Sequence, residues 1–214
     1  MPPRSWETHY TSGRSELLYP DENLVRLLKK NLPPDAGSAA IVAVDLGCGS
    51  GRHLKLLGDL GLGRAIGMDS SMNALRLSRK NFDVPLVRCD NRHIPLKPDS
   101  VHVVIAWGSL HYDRKSELGT MLSEIGRVLR TGGQLFATLR SGRDTFLKKG
   151  RHLGDDTWVT DLDDINGAVV SFYGEEEIKK EFSLFSQCRY GLMERTLIGD
   201  TSSLISHWVI HAVK

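Results

Sequence analysis

The chain has 214 residues, 40% hydrophobic, 25% charged and 7% aromatic, which is enough to bury the core of one α/β domain. Its 21 glycines and 8 prolines exclude collagen-like and disordered classes, and 28 basic against 26 acidic residues leave no overall field for nucleic acid or an anionic membrane. The 3 cysteines (Cys48, Cys89, Cys188) are widely spaced with no Cys-x-x-Cys pair, which excludes a disulfide framework and a thiolate zinc site and favours a reducing compartment.

The opening Met1–Trp6 lacks the apolar stretch of a secretion signal. No apolar run approaches the ~18 residues of a membrane span, so a cytoplasmic location without membrane contact is expected. The first helix is predicted from Asp21 to Asn31, capped by Asp21 and buried through Leu24, Leu27 and Leu28. The Pro33–Gly37 stretch then acts as a short linker. Beyond it, strands are predicted at Ile41–Leu46, Ala65–Asp69, Pro85–Cys89, Val101–Trp107 and Gln134–Leu139. Helices are predicted between them at Gly51–Leu60, Met72–Asn81 and Ser116–Leu129. Continuous hydrophobicity in the first and fourth strands indicates burial on both faces, and the alternation with helices implies right-handed crossovers in a doubly wound sheet. From Arg140 to Ser171 the rhythm stops: a basic run (Arg140, Arg143, Lys148, Lys149, Arg151) precedes an acidic one (Asp155, Asp156, Asp161, Asp163, Asp164). Such a segment reads as a binding loop or lid, its charges pairing as a solvated face or holding an anionic acceptor. A helix at Gly174–Phe182 and an antiparallel hairpin of Gln187–Thr196 with Ser203–Val213 close the chain.

The most specific feature is Asp45-Leu46-Gly47-Cys48-Gly49-Ser50-Gly51, at the junction of the first strand and its helix. Alternating glycines permit a tight turn and close ligand approach, and the following helix N-terminus favours an anionic group. The dinucleotide pattern fails because Arg52 stands where its third glycine belongs, and a P-loop fails because no glycine is followed by lysine. The turn, with Asp69-Ser70 closing the second strand, Asp90-Asn91 closing the third, Trp107-Gly108-Ser109 after the fourth and Leu129-Arg130-Thr131-Gly132-Gly133 before the fifth, resembles the class I S-adenosylmethionine-dependent methyltransferases. Thr131 stands where that family commonly has proline.

The resemblance implies a Rossmann-like α/β fold. It has a doubly wound, seven-stranded, mostly parallel sheet in the order 3-2-1-4-5-7-6, with the last strand antiparallel and helices on both faces. It implies one methyltransferase domain over 1–214, comprising an N-terminal cap segment (1–37), a cofactor-binding core (38–139), a lid insertion (140–172) and a C-terminal helix and hairpin (173–214). S-adenosylmethionine, leaving as S-adenosylhomocysteine, is the implied cofactor. Asp45, Gly47, Cys48, Gly49 and Gly51 would support it at the turn, Asp69 and Ser70 at the ribose, Asp90 and Asn91 at the adenine, and Trp107 at the lip. Cys48 would serve through its backbone N–H. His111 and Tyr112, just past the fourth strand, are the catalytic candidates, with Asp113 beside them. Trp6, His9, Tyr10, Arg14 and Tyr19 would fold over the cofactor. No metal is expected, and His207 and His211 are read as strand-surface side chains.

The sulfonium makes the methyl group electrophilic, so the protein must align an acceptor, exclude water and remove a proton where the acceptor requires it. Trp107-Gly108-Ser109-Leu110 replaces the Pro-Pro-aromatic stretch of amino-methylating nucleic-acid enzymes. With near-neutral charge, this favours a small-molecule acceptor over nucleic acid. The acceptor atom (oxygen, nitrogen or a chalcogen) stays open, as does a monomeric or homodimeric state. The alternatives are a cofactor-binding regulatory or scaffolding protein without turnover, and a nucleic-acid or protein methyltransferase.

Overall fold

The computed structural model describes residues 4–11, 16–32 and 41–214. The predicted linker at Pro33–Gly37 and Arg14 lie outside them. Within the described residues run α1 (Arg4–Thr11), α2 (Glu22–Asn31), β1 (Val42–Leu46), α3 (Arg52–Asp59), β2 (Arg64–Asp69), α4 (Met72–Asn81), β3 (Leu86–Arg88), β4 (Val101–Ala106), α5 (Leu118–Val128) and β5 (Leu129–Ser141). They are followed by β6 (Arg151–Gly154), β7 (Thr157–Val159), β8 (Val169–Tyr173), α6 (Glu175–Glu181), β9 (Gln187–Leu197) and β10 (Asp200–Val213).

Strands β3-β2-β1-β4-β5 pair in parallel in that order. β10 runs antiparallel to β5 from Val213 opposite Gln134 to His207 opposite Arg140, and β9 pairs antiparallel with β10. With the hairpin strands counted as sixth and seventh, this is the expected 3-2-1-4-5-7-6 sheet.

The strands are apolar on both sides because both sides are covered. Leu118, Met121, Leu122, Ile125 and Val128 of α5 pack on Leu135, Ala137, Leu139, Ile210 and Ala212. On the opposite face Leu24 and Leu28 of α2 and Leu54 and Leu57 of α3 pack on Ala43, Val103, Ile105 and Phe136. Period-two alternation along β5 sends Phe136 to one layer and Leu135 and Ala137 to the other. The Asp21 carboxylate caps α2 by accepting the Asn23 N–H at 2.9 Å, as its position in the sequence predicts.

The segment after Leu139 differs from the expected loop. It folds into β6, β7 and β8, joined antiparallel, and β8 continues the main sheet by pairing in parallel with the end of β5 at Arg140–Phe172 and Ser141–Tyr173. Strands this short leave too few residues for a readable period. The hairpin signal was Asp155-Asp156, both at positive φ (48° and 44°), a conformation that aspartate tolerates and two-residue turns require. Leu147, Ile165, Ala168, Val170 and Phe172 form a small core of their own, with Trp6 and Tyr112 packed against it.

Because that small core holds the segment in place, Phe172→Ala should cost about 3–5 kcal/mol in urea unfolding. A loss below about 1 kcal/mol would show the segment to be loosely attached.

Candidate functional site

The glycine turn is tied to the neighbouring strand before any side chain enters. The N–H groups of Gly47 and Cys48 both donate to the Met68 carbonyl, at 2.7 and 2.9 Å. Gly47, Gly49 and Gly51 all have left-handed backbones, with φ of 77°, 55° and 93°. A Cβ on Gly47 would lie 2.4 Å from the Ser109 Cβ, and one on Gly49 would lie 2.7 Å from the Tyr10 hydroxyl. These two positions bring the turn against the lip after β4 and against α1. Gly51 serves packing instead, since a Cβ there would meet Ser78 and Phe82 of the α4 region at 2.6 Å.

Asp69, at the end of β2, is buried. Its Oδ2 accepts the Gly49 N–H at 3.0 Å and its Oδ1 accepts the Ser71 N–H at 2.8 Å. Burial pushes its carboxyl up to about 6, against the opposing pull of those two hydrogen bonds. A cavity of about 510 Å³ opens beside it, lined by Gly47, Asp69, Ser70, Asp90, Asn91 and Ser109 and roofed by Trp6 and Tyr10. At the far end Asp90 is held by Arg92, through Nη2 to Oδ2 at 2.5 Å and Nε to Oδ1 at 2.9 Å. The Arg92 guanidinium keeps the Asp90 carboxyl below the usual carboxylate range.

The roof is fastened to two different parts of the chain. The Glu7 carboxylate accepts the Met72 and Asn73 N–H groups at 3.0 and 3.1 Å and the Ser71 hydroxyl at 3.0 Å. This satisfies the open N–H groups at the start of α4. Burial alone would raise the Glu7 carboxyl, but those hydrogen bonds outweigh it and hold the group below its usual range. Trp6 packs edge-on against Tyr112 with centroids 4.6 Å apart, and His9 Nδ1 lies 2.7 Å from the Asp164 carbonyl oxygen. The Tyr10 phenol is pushed up by burial and by Asp69.

A second cavity, of about 1140 Å³, continues from the first and shares Trp6, Tyr10, Gly47, Gly108 and Tyr112 with it. Cys48, Gly49, His53 and Trp107 line its near side, and His111, Thr138, Arg140 and His207 its far side. His111 is fully buried, with Nδ1 3.4 Å from the Thr138 carbonyl oxygen and no partner for Nε2 among the described residues. Burial, then Arg140 and His207, push its pKa well below the ordinary histidine value, so it is neutral at physiological pH. His207 is pushed down to about 3, by burial first and then by Arg140 and Arg195.

Of the residues singled out in the sequence, Asp69, Ser70, Asp90 and Asn91 line the first cavity. Cys48, Gly49, Trp107 and His111 line the second, and Gly47 and Tyr112 line both. Asp45 and Gly51 line neither; Asp45 is buried, with Oδ1 3.8 Å from His53 Nδ1. The histidines read as strand-surface groups are not such: His207 faces the second cavity, and His211 is stacked on Phe136 with centroids 4.7 Å apart and 2.8 Å from Gln134 Oε1. The basic run is expected to pair as a solvated face or to hold an anionic acceptor: Lys148 pairs with Asp156, whereas Arg140 is buried and lines the second cavity. Glu7 is not among the residues singled out in the sequence. What places Arg140 is register, because a hairpin returning along β5 brings His207 opposite it.

The family model for a methyltransferase domain matches residues 43–133. The chain is 31% identical over 202 residues to the mouse (Mus musculus) tRNA (carboxymethyluridine(34)-5-O)-methyltransferase ALKBH8, covering 93% of this chain and 27% of that protein. It is 39% identical over 107 residues to the malonyl-[acyl-carrier protein] O-methyltransferase of Yersinia pestis, covering 47% of this chain and 38% of that one. The chain therefore spans well under half the length of these relatives. Among solved structures, an S-adenosylmethionine-dependent methyltransferase from Anabaena variabilis matches 99% of this chain and 94% of its own, with a TM-score of 0.69 at 15% identity. The PH0226 protein of Pyrococcus horikoshii matches 90% of this chain and 89% of its own, with a TM-score of 0.67 at 20% identity. Likeness at such identities establishes the fold.

Removing the clasp between α1 and α4 should loosen the roof. Glu7→Ala is expected to cost about 1 kcal/mol, as loss of a helix cap does, and to speed amide exchange across α1. Unchanged exchange there would mean that α1 is held by its aromatic contacts alone.

Proposed function

The chain belongs to the class I S-adenosylmethionine-dependent methyltransferases, and from that premise we propose that it methylates an oxygen atom of a small molecule enclosed in the second cavity. The observation that carries this reading is the pair of joined cavities at the carboxyl ends of β1, β2, β4 and β5, where a doubly wound sheet places its ligands. The donor set of the first cavity fits the cofactor. Asp69 keeps lone pairs for the ribose hydroxyls, with Ser70 beside it. Asn91 and the Asp90–Arg92 pair offer donors and acceptors for an adenine. The left-handed glycines remove the Cβ atoms that would crowd the turn, while the Cys48 N–H expected to serve the cofactor is already given to the Met68 carbonyl. When bound, S-adenosylmethionine supplies an already electrophilic methyl group. What is left to the chain is alignment and exclusion of water, which α1 and the 140–172 segment serve by walling the cavities.

His111 and Tyr112 are assigned to positioning the acceptor. His111 is neutral and, among the described residues, is not paired with an acid, so it lacks the orienting partner that strengthens a histidine base. An oxygen acceptor draws support from the Yersinia and mouse relatives, whose names specify oxygen as the methylated atom. A second reading, transfer to a tRNA base swung into the cavity, draws on the mouse relative and on a second mouse relative named probable tRNA methyltransferase 9B, 29% identical over 102 residues. Incubation with S-adenosylmethionine and either small oxygen acceptors or bulk tRNA, scored by S-adenosylhomocysteine release, separates the readings. Turnover confined to tRNA would overturn the first.

Asp69→Ala should weaken S-adenosylhomocysteine binding by about 1.5–3 kcal/mol in calorimetry, because charge-assisted hydrogen bonds are lost. An unchanged affinity would remove Asp69 from the ribose. The carboxyl of Asp69 titrates near 6. Ribose hydroxyls favour its ionised form, so wild-type affinity should be constant above that pH and fall as pH drops through it. In Asp69→Asn this dependence should vanish, and a flat wild-type profile from about pH 5 to 8 would contradict the assignment.

A further inference from the structure

Resting on the methyl-transfer reading above, we propose that the cofactor's adenine is read by the side-chain amide of Asn91, and that Asp90 serves to build the turn that presents it. Resemblance alone would put the strand-tip acid Asp90 at the base, but its carboxylate is spent on the protein. Residues 90–93 form a tight turn after β3, in which the His93 N–H donates to the Asp90 carbonyl at 2.9 Å. Asp90 Oδ1 accepts both the backbone N–H and the Nε–H of Arg92 at 2.9 Å, and Oδ2 accepts from Nη2 at 2.5 Å. An aspartate that accepts the N–H two residues on is a common way to close a turn.

Arg92 carries the clamp further. Its Nη1 donates to Glu117 Oε2 at 3.1 Å and lies 3.7 Å from Asp113 Oδ2, so the turn is tied to the lip after β4 and to the start of α5. Just beyond the turn, the Ile94 N–H donates to Glu124 Oε2 at 2.9 Å, and Arg127 donates to the carbonyls of Ile94 and Leu96, each at 2.8 Å. Asn91 therefore sits in a turn that is pinned on the side of α5. It is half-buried and lines the first cavity. Of its neighbours in that lining, Arg88 donates to the Ser70 carbonyl at 3.0 Å, and Asp90 and Arg92 hold each other. The Asn91 amide, by contrast, makes no hydrogen bond among the described residues.

The chemistry of the amide matches the base. Adenine presents an amine donor beside a ring-nitrogen acceptor, and a primary amide offers an oxygen acceptor beside an N–H donor. A carboxylate offers acceptors alone and can meet only half of that pattern. Asp90 Oδ2 keeps one lone pair, which makes Asp90 the rival reader. Its charge is already matched by the guanidinium, and its orientation is set by Arg92 rather than by the cavity. Because the turn is pinned before any ligand arrives, only the side-chain torsions of Asn91 are left to be ordered on binding.

The test is calorimetry with S-adenosylhomocysteine and with its 6-deamino analogue, which lacks the amine of the base, alongside thermal unfolding of the ligand-free protein. Asn91→Ala should weaken S-adenosylhomocysteine about tenfold and leave the unfolding midpoint within about 1 °C, because the amide is not bonded to the rest of the chain. Asp90→Ala, which breaks the clamp, should lower the midpoint by about 2–4 °C. The wild-type protein should prefer S-adenosylhomocysteine to the analogue by about fivefold; the preference should vanish in Asn91→Ala and persist in Asp90→Ala. A preference kept in Asn91→Ala and lost in Asp90→Ala would overturn the proposal and assign the base to Asp90. A binding loss below about twofold in Asn91→Ala would overturn it as well. So would a fall in its midpoint as large as that of Asp90→Ala, which would make the amide a structural group. If the wild-type protein failed to bind S-adenosylhomocysteine at all, the methyl-transfer reading would be the one to fall.

Discussion

The site depends on one buried carboxylate between two chain segments. Asp69 closes β2, yet its Oδ2 takes the N–H of Gly49 in the turn after β1, and its Oδ1 takes the Ser71 N–H that leads into α4. One side chain thereby fixes the glycine turn, the second strand tip and the start of a helix relative to one another. The arrangement is held against a desolvation penalty, visible in the raised pKa. A group held at such a cost beside a crevice is a candidate for contact with a ligand.

From this junction the rest is assembled outward. Parallel strands buried on both faces hold the tips of β1, β2 and β4 level, and α1 is fastened to α4 through Glu7 and to Tyr112 and Asp164 through Trp6 and His9. The 140–172 segment extends β5 through β8 and supplies the far wall. The same extension carries Asp144, whose carboxylate accepts the Arg140 Nη1–H, so the core and the appended strands meet beside the second cavity.

The parts legible in the sequence are those whose physics is local. Alternating glycines after an apolar strand, an acid at each of the next two strand tips, and the 3.6-residue period of α5 depend on neighbours in the chain. They located the fold and the residues lining the first cavity. The rest depends on register between distant segments. Arg140 reads as one charge in a basic run until β10 brings His207 opposite it, and Glu7 reads as an ordinary terminal acid until α4 presents its N–H groups. His211, outwardly a strand-surface residue, is buried because Phe136 and Gln134 on the neighbouring strand receive it. The lining of the second cavity is set by this second class of contacts, so it is the least readable part.

Hydrogen exchange followed with and without S-adenosylhomocysteine tests the central claim most directly, since it reports where a ligand is held without requiring that the acceptor be known. Added protection is expected over Gly47–Gly51, at Asp69 to Met72 and along α1, with β9 unaffected. No change at the glycine turn, or protection confined to the β9–β10 hairpin, would contradict the account.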